Sequence, residues 1–533
     1  MGIYTNTFRS SGLTGYAKQL RRLFVRPCSL PITFGLFGLL VLIQTCLLLW
    51  FLNSSSSSRD GLLRYFYSVP DSIRSASGYT LHSLSSGSRG TKKIQKYIPN
   101  TVVTPAKINT MNLQISQMLS DSITLSPANW TRIGEYGRLY QTAYNMYAQI
   151  VLQKIDNQTR KQFEARFFQL EDKLYPWFIR GPVYQSALHS AFKSNSAGIV
   201  MTTGTKYALV AKHTITMLRH IGSKLPIQIM YCGESDLTKS KRLMLSELPG
   251  VELVDLKNIL NIDKCSRGWE NKPFAVMASK FRHVLLIDSD TLFLQPPETI
   301  FQMPEYVKTG AFLFRDRTLA DGTFGYGEKR AEMMRQIAMP FTNNLIYNNS
   351  RIMSLKASDE MESGVVAWDK LRAMPAILLT SLLNSNPLKN SVYSVVYGDK
   401  ETYWLAHEAL HIPFGLTTGY GGAIGTLEMS ASTSKVCGPL LHLDNSGNPL
   451  WFNGGLGSRT PSYNIDLHIP EYWVTESAGD KRVKWDLKSM PYCLHGVLNA
   501  PENHTHGRIN KLTDAQHKIT QKMVDLWIEY FQQ

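Results

Sequence analysis

The first 58 residues contain no aspartate or glutamate, and between Pro27 and Ser58 there is no charged residue of either sign. Within that gap, Leu30 to Leu52 is dominated by Leu, Phe, Ile and Val. This is long enough for the roughly 20 apolar residues that cross a bilayer. Arg9, Lys18, Arg21, Arg22 and Arg26 all precede it. One-sided positive charge predicts a cytosolic N-terminus and a lumenal remainder, that is, a single-pass type II anchor. The length of the run and its distance from the N-terminus argue against a cleaved signal peptide.

Cysteine is also scarce, with six in 533 residues, and Cys28 and Cys46 lie at or inside the apolar run. The other four, Cys232, Cys265, Cys437 and Cys493, fall on the lumenal side, where one or two disulfides are expected and the pairing is open. No Cys-x-x-Cys pair or His-Cys cluster has zinc spacing. There is no Walker loop, no Gly-x-Gly-x-x-Gly fingerprint and no internal repeat. The net charge of +16 does not signal nucleic-acid binding, because residues 1–110 hold 13 Lys/Arg against 2 Asp/Glu and only +5 is left for everything downstream. No basic helix or aromatic-studded basic strip follows.

The organisation that remains is a basic tail (1–29), an anchor (30–52), a stem (53–110), a helical segment (111–194) and an α/β domain (195–533). The stem opens on the serine run Ser54 to Ser58 and is rich in Ser and Gly from Ser83 to Gly90, a composition that stays solvated. From Asn112 to Leu174 apolar residues such as Leu139, Ala143, Tyr147 and Ile150 recur at helical spacing. Near Gly198 the pattern becomes strand and helix in alternation: a strand at 198–202, a Gly204-Thr205 turn, a helix at 206–220, strands at 226–231 and 251–256, and a helix at 272–281. Alternation of this kind implies a largely parallel sheet covered on both faces, with ligands at the carboxyl ends of its strands. Sequons at Asn129, Asn157, Asn348 and Asn503 are compatible with lumenal exposure.

The densest chemical signal is His283-Val-Leu-Leu-Ile-Asp-Ser-Asp-Thr-Leu-Phe-Leu-Gln-Pro-Pro297. Four apolar residues in a row predict a strand buried on both faces. Asp288 and Asp290, at i and i+2, then stand side by side where it emerges. Two such carboxylates call for a cation, and hard oxygen ligands suit Mg²⁺ or Mn²⁺ that also holds a phosphate. Thr202 to Thr205 ends another strand at the same edge, where a small turn lets a nucleotide approach the backbone. Glu362-Ser363-Gly364 ahead of two valines suggests a strand approached closely by a ligand.

Together these segments resemble a Golgi glycosyltransferase of the GT-A type, with a Rossmann-type mixed sheet in the lumenal domain. More narrowly, Trp269-Glu-Asn-Lys-Pro-Phe, Asp288-Ser-Asp-Thr-Leu-Phe, Glu362-Ser-Gly-Val-Val, Tyr397-Gly-Asp-Lys-Glu-Thr-Tyr-Trp404, His442-Leu-Asp and Pro449-Leu-Trp-Phe-Asn-Gly454 are similar to the fungal Mnn1/Mnn2-like mannosyltransferase family. The resemblance spans residues 195–460. It implies retaining transfer of mannose from GDP-mannose, with Mn²⁺ or Mg²⁺, to mannose-terminated glycans of glycoproteins in the Golgi. The linkage implied first is α-1,3, with α-1,2 as the alternative. A non-catalytic lumenal glycan-binding protein on a degenerate transferase fold is the alternative of another class. A Golgi transferase complex stays open as a partner.

Roles follow by position. Asp288 and Asp290 would bind the metal, with His442 as third ligand, since His442, Gly447, Pro449 and Trp451 loosely resemble a His-Gly-Pro-Trp pattern in related GT-A enzymes. Thr202, Gly204, Lys272, Ser289 and Gly364 would hold the donor. Glu362 would lie beneath the sugar and stabilise an oxocarbenium-like transition state, and Asp399 would accept hydrogen bonds from sugar hydroxyls. Tyr403, Trp404 and Trp451 would stack on the acceptor.

Overall fold

The apolar runs become the strands of a sheet buried on both faces. In the computed structural model β1 (Ala197–Thr202), β2 (Ile227–Tyr231), β3 (Val251–Asp255) and β4 (His283–Ile287) lie parallel in the order β3-β2-β1-β4. Ile199 of β1 pairs with Ile227 on one side and Leu285 on the other. β5 (Thr291–Phe293) leaves this sheet, whereas β6 (Ala311–Arg315) and β7 (Met361–Asp369) extend it. β7 runs antiparallel to β4 and β6, so the sheet is mixed rather than largely parallel. All nine residues of β7 are buried. β8 (Gly415–Leu416) closes the edge.

A second sheet, mostly antiparallel, takes up β5. It contains β9 (Gly422–Met429), β10 (Ser434–Cys437), β11 (Leu440–Leu443) and β12 (Pro449–Asn453), and Trp451 of β12 pairs with Phe293 of β5. The segment between β4 and β5 is therefore a crossing from one sheet to the other. That segment is Asp288-Ser289-Asp290.

The structure describes residues 103–531 apart from 122–124, 153–156, 178–195, 262–267, 320–326, 339–349, 431–432, 457–466, 468, 477–483, 489–490 and 499–506. All of them fall in one compact unit, Val69–Gln533. The tail (1–29), the anchor (30–52) and the stem (53–110) as far as residue 102 lie outside the described residues, as do Cys265, Asn348 and Asn503, while the last residues expected in the stem already belong to the helix Pro105–Ser120. Among the described residues no helix is long and apolar enough to cross a membrane. Asn129 is exposed, and the helix Asn157–Leu174 begins at another sequon. Cys437 and Cys493 form a disulfide, and Cys232 is also disulfide-bonded.

The helical segment forms three helices, Pro105–Ser120, Trp130–Leu152 and Asn157–Leu174. Thr104 caps the first, its hydroxyl accepting from Lys107 N at 3.3 Å with proline just inside the start. Tyr140 and Tyr147 stack on Phe167 at 5.3 and 5.1 Å between centroids. These rings do not close a core of their own: they share one with Trp368 of β7 and with Met374 and Ile377 of the helix Lys370–Leu383. Arg138 seals the contact by donating to the carbonyl of Ala409 at 3.0 Å. The helices and the α/β sheet thus form one folding body rather than a subdomain beside a domain.

Behind the sheet, Arg282 and Asp369 form a buried two-pronged pair, with Nε and Nη2 each 2.8 Å from the carboxylate. Asp369 also accepts from Leu371 N and so caps the helix that follows. The next residue, Lys370, is fully buried and donates to the carbonyls of Met277 and Ser279. Burial alone pushes its ammonium down to about 7. The unfolded chain, with an ordinary lysine near 10.5, then binds more protons than the native state between those two values, so stability rises with pH across that window. Urea unfolding of wild type and Lys370→Met is expected to show the wild type gaining on the variant from pH 7 towards pH 10. Parallel pH profiles would mean that Lys370 keeps its proton in the fold.

Candidate active site

The site is built where β4 hands over to β5. The apolar strand ends at Ile287, Asp288 N donates to Gly364 O at 2.9 Å, and Thr291 N returns to Asp288 O at 3.2 Å. The chain therefore turns at Asp288-Ser289-Asp290 rather than running on as an extended strand, and the side-by-side geometry expected for i and i+2 does not hold. The two charges are still neighbours, since Asp290 is one of the groups that raise the pKa of Asp288. Ser289 locks the turn: its Oγ donates to Thr202 O at 3.0 Å and its carbonyl accepts from Thr214 Oγ1 at 2.6 Å. Asp290 O accepts from Gly455 N at 2.8 Å. Both aspartates are half-buried.

Two lysines, Lys272 buried and Lys400 partly so, organise the carboxylates around this turn. Lys272, on the helix Asn271–Ala278, lies 2.8 Å from Asp288 and 3.5 Å from Asp399. Burial disfavours its charge, but Asp288 and Asp399 outweigh that and hold the ammonium above its ordinary range. Burial pushes the Asp288 carboxyl up, Lys272 pulls it back, and Asp290 and Asp399 push it up again, which leaves it at about 7. Lys400 lies 2.6 Å from Asp316 and 3.2 Å from Glu362. Burial works against Lys400 as well, yet Asp316, Glu362 and Asp359 keep it well above the usual lysine value.

Glu362 stands at the start of β7, beside the end of β4. Its Oε1 accepts from Asn453 Nδ2 at 2.6 Å and from Gly364 N at 3.0 Å. Burial would raise its pKa, but Lys400, His442, Lys272 and Arg317 together hold it at about 2, so it is ionised at neutral pH. The β6–β7 register shifts here, Leu313 facing Val366 and Phe314 facing Glu362, which loops residues 363–365 out of the ladder. Such a bulge re-aims side chains at a sheet edge. Asp399 accepts from Tyr403 OH at 2.6 Å.

The sequence therefore places Asp288, Asp290, Lys272, Glu362 and Asp399 at one edge, and the fold brings them together. Other expectations need correction. Tyr403, Trp404 and Trp451 are fully buried and offer no face to an acceptor. The Trp404 indole N–H donates to Glu401, a carboxyl that burial raises to about 8. His442 does not join the aspartate pair. Its ring stacks on Trp451 at 4.1 Å, and burial lowers it to about 4 against the pull of Glu362 and Asp316. Among the described residues the one trio of His, Cys, Asp or Glu with ligand atoms within 4.8 Å of one another is Glu428, Cys437 and Cys493, whose sulfurs are joined. Gly364 and Gly204 serve the chain itself: a Cβ would come within 2.9 Å of Asn453 Nδ2 at the first and 2.7 Å of Asp236 Oδ1 at the second. The hydroxyl of Ser289 is likewise engaged within the fold, and Thr202 contributes its carbonyl to that contact.

This arrangement can be compared with known proteins. Residues 196–444 match the family model described as "Mannosyltransferase putative". "Probable alpha-1,3-mannosyltransferase MNT4" of Saccharomyces cerevisiae is 24% identical over 405 residues, covering 65% of this chain and 68% of that protein. "Alpha-1,3-mannosyltransferase MNT2" of the same organism is 26% identical over 365 residues, covering 61% and 63%. Residues 196–444 are thus similar to the Mnn1-like mannosyltransferases. The chain spans about two thirds of the length of these curated relatives. Among solved structures, the glycosyltransferase GlyE of Streptococcus pneumoniae TIGR4 is 14% identical, with a TM-score of 0.27 over 42% of this chain and 46% of that one, too distant to bear on the site.

Four residues that sequence reasoning gave no role complete the edge. Asp316 shares Lys400, Asn453 orients Glu362, and Arg317 adds positive charge beside Glu362. Thr203 has a buried hydroxyl with no hydrogen-bond partner. Thr203 lies inside a turn already singled out, so its position was the available signal. Asp316 and Arg317 directly follow β6, whereas Asn453 ends β12, far away in sequence.

Lys400→Met would strand Asp316 and Glu362 in the interior and is expected to lower the unfolding free energy by about 3–5 kcal/mol, read by urea unfolding at pH 7. The ion pair also has a pH signature. The Glu362 pKa falls from about 4.5 to about 2 on folding, so its contribution is present above pH 4.5 and is lost as the pH falls towards 2. Glu362→Gln should flatten that part of the stability profile. A Lys400→Met protein as stable as wild type would show that the lysine does not hold the carboxylates.

Proposed function

We propose that this chain is a retaining α-mannosyltransferase that moves mannose from GDP-mannose to mannose-terminated glycans of glycoproteins, forming α-1,3 linkages, on a type II anchor in the Golgi membrane. The observation that carries the reading is the Asp288-Ser289-Asp290 turn at the crossing of two sheets, braced by Lys272 within the segment that matches the mannosyltransferase family. The names of the curated relatives support mannose and the α-1,3 linkage. The basic tail, the apolar run and the lumenal sequons support the location.

The donor set fits a divalent cation. Asp288 is held at about 7 by burial and neighbouring carboxylates even with Lys272 beside it, so the turn still has room for positive charge. Magnesium and manganese sites that carry a nucleotide need only one or two carboxylates, with phosphates and water supplying the other positions. Asp288 and Asp290 would hold the ion, whose charge would neutralise the leaving diphosphate.

The chain's own groups would do the remaining work. Lys272 presents a fixed ammonium that a diphosphate oxygen can share with Asp288. Glu362, ionised and oriented by Asn453 and Lys400, places negative charge where an oxocarbenium-like centre develops. Asp399, fixed by Tyr403 and Lys272, can accept a hydrogen bond from a sugar hydroxyl. Glu362 lies in a tight set of contacts with Lys400, Asn453 and Gly364 N, which favours an electrostatic role over attack on the anomeric carbon. Front-face transfer, with the donor phosphate as base, follows from that.

The test uses the full chain in detergent with GDP-mannose, Mn²⁺ and α-mannobiose. Transfer should be abolished by EDTA and reduced about a thousandfold or more by Asp290→Ala, with an α-1,3 linkage in the product by NMR. Transfer that survives both treatments would remove the metal site. Absence of GDP binding would remove the mannosyltransferase.

A further inference from the structure

Trp269 lies three residues before Lys272, and Tyr397 lies two residues before Asp399. Each emerges from a segment that supplies one arm of the first lysine cluster. Large aromatic side chains are mostly buried in folded chains, as Trp368, Trp404 and Trp451 are here. Trp269 is 46% exposed and Tyr397 39%. Their ring centroids are 5.3 Å apart with 42° between the planes, an open angle rather than a closed stack.

The pair is built, not incidental. Gly398 has φ +65°, and a Cβ there would come within 2.6 Å of the Trp269 ring. The turn therefore takes the one residue that allows both the backbone conformation and the close indole. Lys389 and Glu270 pair at 2.9 Å beside Trp269, and the Lys400 ammonium lies 5.9 Å from the Tyr397 centroid. An exposed aromatic angle rimmed by charges suits a ligand with one apolar face and a polar edge. A pyranose ring has that form: its C–H face packs on an aromatic ring while its hydroxyls meet the rim.

We propose that Trp269 and Tyr397 form the subsite for the terminal mannosyl residue of the acceptor glycan. This rests on the transferase reading above. The donor base belongs elsewhere, because sheets of this kind hold nucleotides where the strand order reverses. Here that point is between β1 and β4, where the Thr203 hydroxyl waits unsatisfied. Lys272 stands between the two halves, hydrogen-bonded to Asp288 on the donor side and ion-paired with Asp399 at 3.5 Å on the acceptor side.

The experiment is calorimetric titration of the full chain in detergent with α-mannobiose, and separately with GDP and Mn²⁺, for wild type, Trp269→Ala, Trp269→Phe and Tyr397→Ala. Trp269→Ala is expected to weaken α-mannobiose about tenfold with GDP affinity unchanged, and Trp269→Phe to recover most of the loss. Acceptor KM should rise by a similar factor. Loss of GDP affinity with α-mannobiose unaffected would assign the pair to the nucleotide base and overturn the proposal, and so would no change with either ligand. Trp269-dependent α-mannobiose binding in a chain that transfers no mannose would keep the subsite and remove the transferase. Mannose transfer with an unaltered acceptor KM would do the reverse. A thermal melt of each variant separates loss of a contact from loss of the fold.

Discussion

The interaction on which the site depends is the pairing of Lys272, buried, and Lys400, partly buried, with carboxylates that come from different elements. Lys272 ties the helix before β4 to the β4–β5 turn and to the loop carrying Asp399. Lys400, one residue further along that loop, ties it to the ends of β6 and β7. Neither ammonium could be buried alone, because an isolated interior charge sheds its proton or pulls in water. Nor could the carboxylates crowd together without them. The acidic edge and the two lysines are one unit, and the loop at 399–400 is its hinge pin.

The second sheet completes this unit from below. Trp451 and Asn453 are neighbours on β12, and they fill the space left by Gly364. Asn453 then reaches Glu362, while Trp451 carries the His442 ring. Because β5 belongs to that sheet and β4 to the other, the Asp288–Asp290 turn is clamped at both ends by ladders running in different directions. These ladders and the hydrogen bonds of Ser289 give the turn its geometry. A site of this sort is organised before substrate arrives, which is the condition for electrostatic stabilisation to cost little at the moment of reaction.

Much of this was legible along the chain. The apolar run ending at Asp288 announced a buried strand, and the alternation after Gly198 announced the sheet, because both signals are local. The crossing to a second sheet was not legible, since β5 is three residues long and its partner β12 is about 160 residues away. Asp316 was missed for the same reason, and Asn453, though inside a segment already singled out, was given no role because its partner Glu362 is far away in sequence. The errors over Tyr403, Trp404 and Trp451 have a different origin. An aromatic beside charged residues reads as a sugar platform, but composition cannot tell whether its ring faces water or core. Here the adjacent carboxylates turn inward as hydrogen-bond acceptors for Tyr403 and Trp404, and the exposed aromatics precede the charges instead of following them.

That inversion bears on how a ligand would enter. Most of the charged groups at the edge are closed off: Glu362, Asp399, Asp316 and Lys272 are all nearly inaccessible, while Asp288 and Asp290 keep partial exposure. Solvent therefore meets the site first at the aspartate turn and at Trp269 and Tyr397. A ligand approaching there can add charge to the aspartates and apolar surface to the rings without dismantling the inner network. Lys272 spans both zones, because its ammonium bonds Asp288 while its neighbour three residues back is the exposed tryptophan. Any shift of the Lys272 helix on binding at one zone must be felt at the other. The coupling runs through one hydrogen-bonded carboxylate, Asp288, and one ion-paired carboxylate, Asp399, rather than through a long chain of contacts.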